Sequence, residues 1–475
     1  MQEHRPASFG HDVVDNAIEQ LAGAAAPTNA SATDALVATP VQLFHDYLAV
    51  FIVAFLVTVL ATPVMRRLAV ANGVIDRPSE SRKLHRVPVA YLGGVAVFLG
   101  VLAGIAFSYA ETIVPQSLFK YHDSLHDLRP VPISIVLGMT LIMLTGLIDD
   151  VVGLVPRLKI GGQLLAAAAL AMQDVGTKVA QGVMAPIGRA VGNEGLVYYI
   201  PLPAAFESLI GQAAIEVNIV YWVGVAIIAI FVLGACNASN LIDGLDGLLS
   251  GVTAIAAAAL LVVALMLAAT DDGVLDGSRI VIALALLGAC LGFLPHNFNP
   301  ATIFLGDSGS LLLGFLTIVL VLSLGDTGKT QLVIAGLVIY SIPIIDTILA
   351  IVRRKLAGRS MSSADDQHLH HMLKRALGVK GAVLTLYAIG IAFGLLGIWL
   401  TLGRVRVVFT VAMVFATFIG VTAVKIARRQ AIEAHVLSKV ELGRPGAVAT
   451  AEHEATHKPD EPNPAPIATE RPRAT

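Results

Sequence analysis

Residues 219–247, IVYWVGVAIIAIFVLGACNASNLIDGLDG, join a long apolar stretch to a cluster of Asn, Asp and Gly. The stretch 219–236 contains no charged residue and is long enough to cross a hydrocarbon layer of about 30 Å as a helix. Polar side chains and glycines at membrane depth usually line a cavity inside the protein, because lipid offers them no hydrogen-bond partner. The segment therefore predicts a membrane-spanning helix that ends at a polar site.

The rest of the chain has the composition of a membrane protein. Of its 475 residues, 56% are hydrophobic and 14% are charged, whereas soluble domains carry about 25% charged residues. The mean hydropathy is +0.77. A net charge of −2 gives no indication of nucleic-acid binding, and we expect none.

Apolar runs of roughly the 20 residues that a span needs recur along the chain and predict an all-α polytopic membrane protein with about 10–11 transmembrane helices. They lie near residues 48–65, 89–109, 132–148, 160–172, 219–236, 248–269, 280–293, 311–324, 332–352, 382–402 and 407–424. The transmembrane domain is predicted over residues 46–427. Residues 1–45 and 428–475 are rich in polar and small residues and are predicted to be disordered.

Basic residues concentrate in loops on one side of the predicted helices. The loops after the first and ninth spans hold Arg66, Arg67, Arg77, Arg82, Lys83 and Arg86, and Arg353, Arg354, Lys355, Arg359, Lys374 and Arg375. Because basic loops stay in the cytoplasm, an odd number of spans places the amino terminus outside. All the polar motifs described below then fall on the cytoplasmic side.

Two adjacent carboxylates, Asp149 and Asp150, end the third apolar run. Acids at a helix end near the membrane are suited to metal binding, proton transfer or phosphate chemistry. The alternative is a pair of solvated interfacial acids. Lys159, at the start of the next span, can either meet a phosphate or extend its ammonium group to the membrane surface.

The polar residues that follow the fifth span recur at every third position, including Asn240, Asp243 and Asp246. On a straight α-helix this spacing drifts by about 60° per step, so the side chains would diverge. A tighter turn, or a break at Gly244, would bring them to one face. One helix cap can explain a single Asn or Asp, but not this series, so we favour a functional cluster.

A third motif, residues 304–310, leads into the eighth apolar run. Asp307 lies among small residues at a helix start, where a carboxylate can hold Mg²⁺ and backbone N–H groups can meet anionic oxygens. Phe304 is placed to stack on a base. The alternative is that Asp307 is only a helix cap.

The loop after the ninth span carries His368, His370 and His371 behind Arg354 and Arg359. On a helix, His368 and His371 would share a face and His370 would point elsewhere. Three His residues suggest zinc, but no Cys or well-spaced carboxylate completes a tetrahedral set. Phosphate binding, with arginines as bidentate donors, fits better than zinc, and a solvated basic loop is the alternative.

Together these motifs resemble the polyprenyl-phosphate N-acetylhexosamine-1-phosphate transferases. Within residues 47–425 they read, in order, Asp76-x-Pro with Arg82-Lys83-x-His85 and Gly93-Gly94; Asp149-Asp150 with Lys159; Asn237-x-x-Asn240-x-x-Asp243-Gly244-x-Asp246-Gly247; Phe304-x-Gly306-Asp307-x-Gly309-Ser310; and His368-x-His370-His371. Within the family the chain looks most like the bacterial UDP-GlcNAc:undecaprenyl-phosphate GlcNAc-1-phosphate transferases.

The resemblance implies transfer of GlcNAc-1-phosphate from UDP-GlcNAc to undecaprenyl phosphate, the first membrane step of a cell-envelope polysaccharide pathway. It also implies a cytoplasm-facing site in the bacterial inner membrane, and Mg²⁺ as cofactor with Mn²⁺ as an alternative. The expected catalytic residues are Asp149, Asp150, Asp243, His368, His370 and His371; the expected substrate-binding residues are Lys83, His85, Lys159, Asp246, Phe304, Arg354 and Arg359; the expected metal ligands are Asp307 and Asn240. A homodimer is considered, and the sequence leaves the oligomeric state open.

Two other functions stay open at this point. The first is a phospho-N-acetylmuramoyl-pentapeptide transferase, whose histidine motif is typically followed by Glu, whereas Met372 and Leu373 follow here. The second is a cation- or proton-coupled transporter that uses carboxylates within the membrane. Transporters often carry internal repeats, which we do not find in this sequence, and their acids lie in mid-span rather than at helix ends.

Overall fold

The computed structural model describes residues 39–76, 88–110, 131–203, 211–270, 275–356 and 368–442. Three of the predicted substrate-binding residues, Lys83, His85 and Arg359, lie outside these described residues, as do most of the two predicted terminal extensions.

Within those ranges the chain is helical apart from two short hairpins. The helices are α1 (Pro40–Ala71), α2 (Gly93–Ser108), α3 (Ile133–Val152), α4 (Pro156–Ala171), α5 (Val179–Val191), α6 (Ile219–Ile242), α7 (Leu248–Ala268), α8 (Asp276–Asn297), α9 (Gly306–Ser323), α10 (Thr330–Ile339), α11 (Ser341–Leu356), α12 (Leu369–Thr401) and α13 (Val405–Leu442). The strands are β1 (Ile75–Asp76), paired with β2 (Val89–Ala90), and β3 (Val197–Pro201), paired with β4 (Ala214–Asn218), both antiparallel.

The all-α polytopic architecture predicted from the sequence is confirmed, and each predicted apolar run is helical, with residues 332–352 divided between two helices. In the described part of the chain, eight helices are long and apolar enough to cross a membrane. Helices α10 and α11 meet at an angle of 81° and together make a ninth, broken span. Helices α2 and α4 have 16 residues each and fall short of a full span, which is why the structure gives fewer spans than the eleven runs.

The helical domain is longer at both ends than the predicted residues 46–427. Helix α1 begins at Pro40, where the Thr39 hydroxyl accepts from the backbone nitrogen of Gln42 at 3.3 Å and the Gln42 side chain accepts from the backbone nitrogen of Thr39 at 2.8 Å. This reciprocal cap fixes the helix start. At the other end, α13 continues to Leu442.

The helices are arranged with α7, α8 and α9 at the centre. In the most apolar part of α9, 89% of residues are buried, against 6% in α13. The outer helices expose large apolar side chains, for example Leu60, Ile230 and Phe418. Such a continuous apolar surface is typical of contact with lipid rather than water.

Glycines let two helices approach the start of α9 closely. A Cβ atom on Gly94 of α2 would overlap the backbone nitrogen of Gly309, and one on Gly146 of α3 would overlap the Cα atom of Ser308. Both contacts are to backbone, which cannot turn aside as a flexible side chain would. Small residues of this kind let helix backbones pack directly against each other in membranes, and here they fix the position of residues 306–310.

We therefore expect Gly94→Ala to lower the thermal unfolding midpoint of the detergent-solubilised protein, with a loss of about 1–3 kcal/mol typical of an overpacked core. The matched control is Gly161→Ala on α4, where an added Cβ meets no atom within 4 Å. Circular dichroism of both variants, purified in parallel, measures the difference. Equal midpoints for the two variants would show that the close approach at Gly94 is unimportant for packing.

Candidate active site

The site lies at the start of α9, where Asp307 receives side chains from two other helices. The amide nitrogen of Asn240, near the end of α6, donates to Asp307 Oδ1 at 2.7 Å and to the Ser310 hydroxyl at 2.9 Å. The Lys159 ammonium, from the first turn of α4, donates to Asp307 Oδ2. Residues that are far apart in the sequence thus meet at one carboxylate.

Lys159 also binds Asp149, at 3.2 Å, and so connects the end of α3 with the start of α9. The other oxygen of Asp149 accepts from the backbone nitrogen of Leu154 at 2.6 Å. The side chains of Lys159 and Asp149 are each 17% exposed and that of Asp307 is 26% exposed. The cluster is therefore open to an incoming ligand but partly shielded from water, which strengthens its electrostatic interactions.

Asp150 has a different role in the structure from that of its neighbour. Its two carboxylate oxygens accept from the backbone nitrogens of Asp307 at 2.7 Å and Ser308 at 3.0 Å. Gly306 has φ +70°, and a Cβ there would lie 2.5 Å from Asp150. The first backbone N–H groups of α9 are thus capped from another helix, and the predicted catalytic role of Asp150 stays a prediction beside this positioning role.

The polar turn at residues 243–247 breaks the helix, as the break expected at Gly244 predicted. Helix α6 ends at Ile242 and α7 begins at Leu248, with Gly247 at φ +77°. Asp243 lies in this turn and is half-buried, and burial together with the neighbouring carboxylates raises the pKa of Asp243 to about 8. Asp246 accepts from the Asn299 side chain at 2.9 Å and the Ala301 backbone at 3.0 Å.

Phe304 lies half-buried on the segment that Asp246 holds. Its backbone nitrogen donates to the Ala90 carbonyl at 2.9 Å, and its own carbonyl accepts from Gly93 at 3.0 Å. The ring of Tyr91 lies 6.2 Å from that of Phe304, tilted by 55°. The sequence analysis missed Tyr91, whose pKa is raised by burial and by the charge of Asp76.

The histidines form a buried group around a carboxylate that the sequence analysis also missed. Nδ1 of His368 and Nδ1 of His370 lie 3.2 and 3.1 Å from the same oxygen of Asp346 on α11. The statement that no well-spaced carboxylate accompanies these histidines is therefore wrong. His368 has an extended backbone and precedes the first residue of α12, so helical spacing does not set the direction of its side chain. Its ring lies 6.2 Å from that of His371, as predicted, but the prediction that His370 points elsewhere is wrong, because its ring lies 5.4 Å from that of His368.

The histidine group is in contact with the polar turn. The rings of His370 and His371 are 4.3 Å apart, and a Cβ placed on Gly244 would lie 2.8 Å from Nε2 of His370. Arg354 lies two turns beyond Asp346 on α11 and is half-buried. The ends of α3, α4, α6, α9 and α12 that carry predicted residues are therefore gathered at one end of the bundle.

The sequence is similar to those of known proteins over most of its length. The profile of glycosyl transferase family 4 matches residues 132–325. The chain is 34% identical over 79% of its length to a decaprenyl-phosphate N-acetylglucosaminephosphotransferase of Mycolicibacterium smegmatis, covering 87% of that protein. The chain belongs to the polyprenyl-phosphate N-acetylhexosamine-1-phosphate transferase family. A probable undecaprenyl-phosphate N-acetylglucosaminyl 1-phosphate transferase of Bacillus subtilis is 29% identical, over 78% of the chain and 90% of that protein.

The transferase is also similar to the related muramoyl enzymes. A phospho-N-acetylmuramoyl-pentapeptide-transferase of Desulforudis audaxviator is 29% identical over 73% of the chain and 95% of that protein. A decaprenyl-phosphate N-acetylglucosaminephosphotransferase of Mycobacterium tuberculosis reaches 36% over 67% of the chain. Of these four relatives, the two with the higher identities, 34% and 36%, are named for N-acetylglucosamine. This supports the choice made from Met372 and Leu373, and the family argues against a transporter.

The donor set of the transferase fits a divalent cation. Asp149, Asp243 and Asp307 carry carboxylates and Asn240 an amide, and Mg²⁺ prefers oxygen ligands of these kinds. The Lys159 ammonium already bridges two of the carboxylates, which shows that this position accepts positive charge. The predicted metal ligands Asp307 and Asn240 lie side by side, with the Asn240 amide nitrogen donating to Asp307 Oδ1. An amide binds Mg²⁺ through its oxygen, so Asn240 would have to turn that oxygen toward the ion to be a ligand.

Proposed function

We propose that this transferase moves GlcNAc-1-phosphate from UDP-GlcNAc to undecaprenyl phosphate and releases UMP. The observation that carries the proposal is the meeting of Asp149, Lys159, Asn240 and Asp307 at the capped start of α9. Phosphoryl transfer depends on positioning and charge neutralisation more than on covalent chemistry by the protein. A compact cluster of acids, an amide and a lysine is suited to that task.

In the proposed reaction an oxygen of the lipid phosphate attacks the β-phosphorus of UDP-GlcNAc. A new P–O bond forms, the bond from this phosphorus to the oxygen bridging to the α-phosphorus breaks, and UMP leaves with that oxygen. Asp307 and Asn240 would hold Mg²⁺, which neutralises charge on the diphosphate when bound. Lys159 would pair with a phosphate oxygen, and Asp149 and Asp150 would orient the lipid phosphate or accept its proton.

The nucleotide half of the site would lie between the polar turn and residues 298–304. Asp246 is fixed by Asn299 and Ala301, so the carboxylate and the half-buried ring of Phe304 are held on one segment. A carboxylate can accept from the N–H of uracil, and an aromatic ring can stack on its face. Tyr91, beside Phe304, would support the ring.

The lipid half would lie in an apolar cavity of about 530 Å³ between α6, α9, α10, α11 and α13. Its walls include Ile230, Phe231, Ile318 and Phe415, and Tyr340 lies at its edge. Tyr340 hydrogen-bonds to Ser239, the residue before Asn240 on α6, so this side of the cavity is joined to the helix that carries Asn240. Because the prenyl chain comes from lipid rather than from water, such a cavity would bind it through packing more than through the hydrophobic effect.

The charge distribution supports a cytoplasm-facing site in the bacterial inner membrane. The site end of the bundle carries the basic residues Arg66, Arg67 and Arg353 to Lys355 at the ends of α1 and α11. Basic residues at helix ends favour the cytoplasmic side. UDP-sugars would then reach the site from water and the prenyl phosphate from the inner leaflet.

The function is tested by measuring UMP release from a panel of UDP-sugars by the detergent-solubilised protein with undecaprenyl phosphate. We expect release from UDP-GlcNAc, loss of that release when Mg²⁺ is chelated, and recovery when Mg²⁺ or Mn²⁺ is restored. UDP-GalNAc and UDP-MurNAc-pentapeptide are the comparison donors. Release from UDP-MurNAc-pentapeptide alone would overturn the choice of donor, and undiminished release without a divalent cation would overturn the metal assignment.

A further inference from the structure

Asp346 is a buried carboxylate in α11, within the apolar run predicted over residues 332–352. The residue is 1% exposed, and an isolated charge at such a position is costly unless it is paired and hydrogen-bonded. Its Oδ1 accepts from the backbone nitrogen of Leu369 at 2.7 Å, and its Oδ2 faces His368 and His370. The carboxylate is therefore saturated by residues at the start of α12.

The break between α10 and α11 places Asp346 in this position. The two helices diverge by 81° at Tyr340, so α11 leaves the direction of the span and carries Asp346 to the start of α12. The contact joins α11, which ends before residue 357, to α12, which begins after residue 367. Asp346 thus holds the histidine segment against the end of the bundle that contains the acidic cluster.

We propose that Asp346 is a positioning residue of the transferase, which fixes the ring orientation of His370 and, with it, that of His368. With both Nδ1 atoms facing Asp346, Nε2 is the nitrogen that each ring presents to its other side. In His370 this nitrogen lies against Gly244, in the turn between Asp243 and Asp246. A carboxylate on one ring nitrogen sets which nitrogen carries the proton and how the ring points.

Gly244 shows why the orientation matters. A Cβ at this position would be 2.8 Å from Nε2 of His370, so the ring is seated directly on the turn and a small rotation would separate the two. The proposal rests on the proposed function in one respect only, namely that the phosphate that His370 would meet belongs to the nucleotide sugar bound at that turn. The orientation of His370 by Asp346 is a property of the protein itself.

The same three side chains could in principle ligate a metal ion, because their donor atoms lie within 4.8 Å of one another. Hydrogen bonding accounts for the geometry without one. The Nδ1–Oδ2 separations of 3.1 and 3.2 Å are those of hydrogen bonds, and the second oxygen of Asp346 is already bound to Leu369. A zinc site would also need a fourth ligand.

The test is a double-mutant cycle of Asp346→Asn and His370→Ala, with initial rates measured for whichever donor the wild-type protein uses. Because a group that orients a catalytic side chain typically contributes 10–100-fold, Asp346→Asn should lower kcat by about that factor with little change in the KM for the nucleotide sugar. In the His370→Ala background, Asp346→Asn should cause a smaller further loss than it causes alone, since part of its effect acts through the His370 ring and only the part through His368 is left.

The matched control is Asp326→Asn, which removes a carboxylate that is 4% exposed and paired with Lys178 at the other end of the bundle. It should leave kcat unchanged. Additive losses in the cycle, or an unchanged kcat in Asp346→Asn at an unchanged unfolding midpoint, would overturn the proposal. So would stoichiometric zinc in the wild-type protein that is lost in Asp346→Asn. A wild type that rejects UDP-GlcNAc but uses another donor would overturn the donor choice and leave this cycle measurable.

Discussion

Asp307→Ala is expected to lower the rate of UMP release by at least about 10³-fold, the largest effect that we expect from any single substitution. Removal of one preorganised group that stabilises transition-state charge typically costs 10²–10³-fold, and Asp307 is in contact with both Lys159 and Asn240. Its loss should therefore disturb three groups at once. The measurement is the initial rate at saturating donor and lipid phosphate, over a series of Mg²⁺ concentrations.

Two further variants make the result specific. Asp307→Asn keeps the shape of the side chain and removes only its charge, so a loss close to that of Asp307→Ala would assign the effect to charge. Glu216→Gln, on the exposed hairpin strand β4, removes an acid just before the start of α6, at the opposite end of that helix from Asn240, and should keep the wild-type rate. If Asp307→Asn kept substantial activity and needed no more Mg²⁺ than the wild type, the assignment of Asp307 as a metal ligand would be contradicted.

Hydropathy predicted the helices well, because the length of an apolar run reports directly on burial in lipid or protein. It did not predict the break in the ninth span, since a window of residues 332–352 is apolar whether or not the chain turns within it. Pro343 lies three residues after the break at Tyr340, and a proline that cannot continue the preceding hydrogen-bond pattern was the available signal. The hairpin of β3 and β4 has too few residues to give a clear alternation.

The acidic cluster was predictable as a group but not in its internal contacts. Topology placed Asp149, Lys159, Asn240 and Asp307 on one face, and the structure brings them into contact. The role of Asp150 as a cap for α9 depends on the approach of α3 to α9, which no local pattern encodes. Local sequence gives the chemistry of a side chain, whereas its partner is set by tertiary packing.

The contacts of the histidine group were also not predicted from local sequence. Helical periodicity was applied to His368, but the helix begins one residue later, so the step of about 100° per residue does not govern the direction of its side chain. Asp346 was passed over because it lies within an apolar run. A single acid inside a predicted span is itself a signal, since such residues are rare and usually mark a functional contact.

Lys159→Gln should lower the rate by about 10²-fold. It should also raise the apparent affinity for Mg²⁺, so that the half-saturating Mg²⁺ concentration falls. The rate should fall because the Lys159 ammonium group contacts the acidic cluster directly and would pair with phosphate there. The apparent Mg²⁺ affinity should rise because the same ammonium neutralises Asp149 and Asp307. Two unit charges about 4 Å apart interact by on the order of 4 kcal/mol near a protein surface, so removing this competitor should be measurable.

The sign of the Mg²⁺ effect separates this account from general damage to the site. The control is Lys178→Gln, because Lys178 also pairs with a buried aspartate, Asp326 at 3.2 Å, but at the opposite end of the bundle. That variant should keep both the wild-type rate and the wild-type Mg²⁺ requirement. If Lys159→Gln instead needed more Mg²⁺, Lys159 would act mainly by holding the ends of α3 and α9 together, because loss of that bridge would spread the ligands that the cation needs.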